Sequence, residues 1–207
     1  KSSNQLVAGN TLALVSIFLF AAGFPAAEVL LDVWHPITLM FVRLLLAVST
    51  LVVVWAFIEG LSSVLKAPWL KGIKIGLLGF GLGTNLLLFA QWFTDPITVA
   101  LLATLIPVSA TILEVWDGRR KLNSRFILGL SASIIGGFIA VSENISIDLG
   151  WGVLMALGSG FCFMWASDKS VTRLSELSSI ARSSVTFTGA AVFTTISFAL
   201  FFTLGLI

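Results

Sequence analysis

Long uninterrupted apolar runs alternate along this chain with short polar breaks. Seven runs stand out, at 11–31, 36–58, 71–93, 96–116, 126–142, 150–167 and 184–205. Each approaches the roughly 20 apolar residues that a helix rising about 1.5 Å per residue needs to cross a hydrocarbon core of about 30 Å. The apolar positions are continuous rather than alternating, and the runs far exceed the roughly 10 residues of a barrel strand. The pattern therefore predicts an all-α, polytopic transmembrane helical bundle with seven helices visible. Its connections are too short to hold an extramembrane domain, so the function must lie within the bilayer. The first run is not a cleaved secretory signal, being too long and lacking a small-residue cleavage pattern.

Composition agrees: 57% of the 207 residues are hydrophobic and 11% charged, where a water-soluble domain carries about a quarter charged residues. The placement of charge adds a direction. Eleven of the twelve Lys and Arg fall at the same alternate ends of the runs: Lys1; Lys66, Lys71 and Lys74; Arg119, Arg120, Lys121 and Arg125; Lys169, Arg173 and Arg182. The opposite ends carry Glu28, Asp32, Asp95, Glu143 and Asp148 and no lysine or arginine. By the positive-inside rule the first set is cytoplasmic, which puts the amino terminus inside and the chain in a plasma (inner) membrane as a multi-pass protein.

Arg43 is the twelfth cation. It lies seven residues into the second run, among leucines and valines, roughly 10 Å from the outer interface by helical rise. Arginine costs roughly 2.5–3.5 kcal/mol at a helix centre and usually marks a pathway or site, although a snorkelling stem would explain it equally. Counted inward from the outer ends, Asn85 and Thr104 fall at about 12 Å and Pro25 at about 9 Å. Proline at 25 frees a backbone carbonyl one turn back. Taken singly, each residue reads as structural; their common depth suggests an outer-half cavity. Gln91 and Trp92 sit near its outer mouth, as an exit gate would. Trp55 and Trp165 are less easily assigned to an interfacial belt than the tryptophans at run ends, although both lie near the cytoplasmic end; Trp165 joins the candidate substrate-binding residues.

A weak internal match pairs "LFAAGFPAAE" (19–28) with "GFCFMWASDK" (160–169). Five helices separate the copies, so the second would be inverted, as in secondary transporters whose halves rock about a central site. Small-residue ladders at Gly72 and Gly76, Gly79 and Gly83, Gly129 with Ser133 and Gly137, and Gly152 with Ala156 and Gly160 predict close helix packing.

"HPITLMFVRLLLA" resembles the proline-then-arginine second helix of the drug/metabolite transporter superfamily, EamA type. "FTDPITVALLATLIPVSATIL" resembles its third-to-fourth hairpin, "RFILGLSASIIGGFIAV" its fifth helix, and "WGVLMALGSGFCFMWASDKSV" the start of its second repeat. The resemblance implies ten helices in two inverted five-helix repeats and a secondary transporter that exports small metabolites. Residues 1–147 would then be the first repeat and 148–207 the first two helices of an incomplete second. One departure is that the family's Glu-Arg at the end of the fourth helix reads "DGRRK" here, with Asp117 or Glu114 as the substitute acid.

Other chemistry is missing. The single Cys162 cannot form an internal disulfide, His35 cannot assemble a metal cluster, and no Ser-His pair is evident. The glycines of "GLLGFGLG" lie inside an apolar run without a following Lys-Ser/Thr, which excludes a nucleotide loop. "NIS" (144–146) matches a glycosylation acceptor only in a secretory host. No enzyme, cofactor or metal is therefore expected. The expected partners are a small-molecule solute and the lipid bilayer, with a homo-oligomer open and nucleic acid excluded. The competing class is a non-transporting receptor or assembly subunit in which Arg43 pairs with an acid on another chain.

Overall fold

A computed structural model describes residues 3–103, 105–119, 123–141 and 150–207, and among them it is helical without strands. Helices α1 (Ser3–Leu31) and α2 (Pro36–Glu59) are followed by a short α3 (Leu61–Lys66) and by α4 (Trp69–Ile75). A π-helical segment, Gly76–Gly81, joins α4 to α5 (Leu82–Phe93), so 69–93 forms one rod. Then come α6 (Pro96–Ala103), α7 (Ile106–Trp116), α8 (Ser124–Val141), α9 (Trp151–Arg173) and α10 (Ser179–Thr203).

Local sequence explains the boundaries. The His35 imidazole caps α2, its Nδ1 accepting the Ile37 amide at 3.3 Å, and Pro36 opens the helix where no amide hydrogen is needed. Gly60 ends α2 with a positive φ of 83°, a conformation that glycine adopts without penalty. The 96–116 run is split because Pro107, at the start of α7, has no amide hydrogen to continue the ladder from α6. The three glycines of "GLLGFG" let α9 and α10 approach the backbone of this segment, where Cβ atoms would meet Ala166, Thr186 and Phe193.

Five described helices are long and apolar enough to cross a membrane: Val7–Leu31, Pro36–Glu59, Trp69–Phe93, Pro96–Trp116 and Ser179–Thr203. Seven runs were expected to do so. Ser124–Gly136 is shorter, and α9 is less apolar because Ser159, Ser167, Asp168 and Lys169 interrupt it. On one side α9 packs against α5, α6, α7 and the π segment, where Ser159 is buried, while Leu154 and Val171 on its other side are exposed. Exposed Phe18, Leu19, Phe57 and Leu70 likewise turn apolar surface outward, as lipid contact demands.

The glycine ladder of the rod is a packing device on two sides. A methyl group at Gly72 would overlap Val185 and one at Gly76 the Thr186 carbonyl, both on α10. One at Gly79 would overlap Ala166, and one at Gly83 would press on Phe163, both on α9. On α10, Gly189 lies against the Ile73 backbone in return. Gly152 abuts Thr94, and Gly160 meets Ile106. Gly129 on α8, by contrast, faces open space among the described residues, and the side-chain surroundings of 133 and 137 lie outside them.

Candidate functional site

A cavity of about 490 Å³ opens between α2, α5 and α9, with Phe20 of α1 and Phe187 of α10 at its edges. Each helix contributes one face. Met40, Arg43, Leu44 and Ala47 follow one another at helical spacing on α2, as do Thr84, Leu87, Leu88 and Gln91 on α5, and Phe163, Met164 and Ser167 on α9. Phe80, on the π segment, completes the wall and stacks on Phe187 with ring centroids 5.3 Å apart. A π turn beside such a wall is a common feature of functional sites.

Most of this lining is apolar, so its few polar groups define what it can bind. The Arg43 guanidinium has no hydrogen-bond or ion-pair partner among the described residues. It reaches toward α1: a Cβ at Gly23 would stand 3.6 Å from a guanidinium nitrogen. Gly23 lies eight residues from the C-terminal end of α1, roughly 12 Å along the axis by helical rise. The guanidinium therefore lies about level with its own backbone along the helix axis. Arg43 is exposed, whereas the Gln91 carbonyl oxygen is buried without a protein partner among the described residues. The cavity thus presents a donor fork and a lone acceptor, while the Thr84 hydroxyl already donates to the Phe80 carbonyl at 2.7 Å.

Among the expected site residues, Arg43 and Gln91 meet in this wall and the others do not. Asn85 is buried one residue off the cavity face; its Nδ2 donates to the Gly81 carbonyl at 2.8 Å and to Thr194 Oγ1 of α10 at 2.7 Å. Pro25 lines a separate apolar groove of about 500 Å³ between α1 and α6, together with Glu28 and Pro96. Trp92 is exposed, and its ring centroid lies 5.4 Å from that of His35 at the start of α2. Trp165 packs beside the cluster of Trp55, Ala166 and Val185. Thr104, the 144–146 triplet, Arg120, Lys121 and the 147/148 junction lie outside the described residues. Thr84, Met164, Ser167 and the phenylalanine wall were not anticipated. Spacing could have shown Thr84, which stands exactly seven residues before Gln91 on one helix face.

A second polar region closes the other end of α7. Gly118, with φ 68°, lets the chain fold back so that the Arg119 amide bonds the Glu114 carbonyl at 2.9 Å. The Arg119 guanidinium then bridges Asp117 and Asp168, each at 2.7 Å. Lys169 reaches Asp117 at 3.3 Å and Asp168 at 3.1 Å. Hydrogen bonds from Arg119 and then Lys169 hold the Asp117 carboxyl below its ordinary 3.8. At the opposite end, burial pushes the His35 imidazole below its ordinary 6.5. No group of three metal-ligating side chains occurs among the described residues.

No curated protein and no solved structure matches the chain. The model of the EamA-like transporter family, however, matches residues 7–142, a span that takes in α2 with Arg43 and α5 with Gln91. On that match the chain belongs to the EamA-like transporter family, a family of membrane transporters rather than enzymes.

Proposed function

We propose that this protein is a secondary transporter that exports a small amino-acid-like solute by alternating access, with residues 1–147 and 148–207 belonging to two inverted repeats. The amino terminus is cytoplasmic and the membrane is the plasma (inner) membrane, as the charge asymmetry argues. The observation that carries the solute class is the pairing of an unpartnered guanidinium with an unpartnered carbonyl oxygen in one apolar cavity. Guanidinium binds carboxylate through two parallel N–H donors, and the Gln91 oxygen accepts from an ammonium or hydroxyl. Phe80, Phe163 and Phe187 surround the solute's apolar body.

Counterflow in proteoliposomes of the full protein tests this, with a mixed pool of labelled amino acids and small carboxylates. Wild type should show flux that Arg43→Gln reduces about 10- to 100-fold, as loss of a hydrogen bond to a charged group predicts. Flux that is unchanged in a folded Arg43→Gln protein would remove the site assignment, and no flux in either would remove the transporter reading for this solute class.

A further inference from the structure

Beneath the cavity lies a smaller chamber of about 260 Å³, between α7 and α9. Met164 and Ser167 belong to the walls of both, so the two spaces adjoin across one turn of α9. At its far side the chamber is bounded by Arg119 and Asp168, the ion pair that ties the end of α7 to α9 at 2.7 Å. The pair belongs to a network that includes Asp117, Asp168, Arg119 and Lys169, all partly exposed, and Glu114 lines the same chamber.

We propose that this chamber is a second solute station on the cytoplasmic side, where Arg119 offers a solute carboxylate the guanidinium that Asp168 otherwise occupies. The inference rests on the carboxylate-bearing solute proposed above. Solute and Asp168 carry the same chemical group and compete for the same donor fork. Arrival of solute therefore releases α9 from the end of α7, and departure restores the pair. A partly hydrated ion pair suits such an exchange, because water already weakens it and no buried charge is stranded when the partners part. Asp117 retains Arg119 and Lys169 at the helix end during the exchange, so neither base is left without an acid.

The test reads access to the chamber and needs no knowledge of the natural solute. Ala110, which lines the chamber on α7, is replaced by cysteine in a Cys162→Ala background, and inside-out vesicles holding the full protein are treated with a membrane-impermeant maleimide. Labelling should quicken several-fold in Asp168→Asn and return toward the parent rate in the exchanged pair Arg119→Asp with Asp168→Arg, which also shows that the variants fold. Propionate at the cytoplasmic face should quicken labelling in the parent, propionamide should not, and Asp168→Asn should be insensitive to both. An unchanged rate in Asp168→Asn overturns the lock; equal effects of propionate and propionamide overturn the carboxylate station. Flux through an intact Arg43 site alongside either negative result would leave the transporter reading standing and this inference fallen.

Discussion

Two arginines divide the molecule. Arg43 lies in an apolar cavity without a partner among the described residues, whereas Arg119 holds two carboxylates at the end of α7. The first guanidinium is left uncompensated by its neighbours and the second is satisfied twice over. The contrast separates a charge with no partner among the described residues from a charge that fastens two helices, although both residues are arginines.

The sharpest way to break the contrast is to neutralise each in turn. Arg43→Gln should lower counterflow about 10- to 100-fold, while Arg119→Gln should leave solute affinity at the Arg43 cavity near wild type. Next comes Gly23→Leu, which fills the space beside the Arg43 guanidinium. It should raise the counterflow KM several-fold with the protein still folded, and an unchanged KM would mean that the guanidinium does not need its observed place. Smaller in transport but visible in stability is Asn85→Leu, which strands Thr194 Oγ1 in the α5–α10 interface. Loss of this buried pair, at about 1–3 kcal/mol, should lower Tm in detergent by roughly 3–10 °C with little change in KM. A large KM effect at constant Tm would instead return Asn85 to the binding site.

The smallest effect concerns pH. His35 is held below 6.5 by burial, so its neutral form stabilises the fold above that value and the contribution is lost as pH falls through it. Asp117 is held below 3.8, so its contribution is complete above 3.8 and is lost only in stronger acid. Between pH 7.5 and 5 the outer end should therefore weaken and the α7–α9 network should not. Tm should fall by less than about 2 °C over that interval, and His35→Phe should abolish the fall; a slope that persists in His35→Phe would place the titrating group elsewhere.

Much of this architecture is legible in the sequence because lipid imposes a length. A run such as 36–58 has few alternatives to a spanning helix, and the Gly72, Gly76, Gly79 and Gly83 series marks backbone approach without naming the partner helix. Depth was legible for the same reason, since counting from a run end gives a height. Azimuth was not. Asn85 and Gln91 are six residues apart and so fall on different faces of α5, as do Gln91 and Trp92. Height alone grouped Asn85 with Arg43; only the packing of α5 against α10 shows that its amide spans a helix interface. Membership of α9 in the site depended on contacts between distant segments, which no local pattern records.

The seam between the rod and α10 carries a mechanical consequence. At Gly76 and Gly189 backbone meets backbone, with no side chains between. Such a joint contains no rotamers that could switch between two packed arrangements, so it behaves as a weld rather than a bearing. Under the alternating access proposed above, rocking would be taken up where side chains intervene, and the part of the cavity wall held by this joint would travel as one piece.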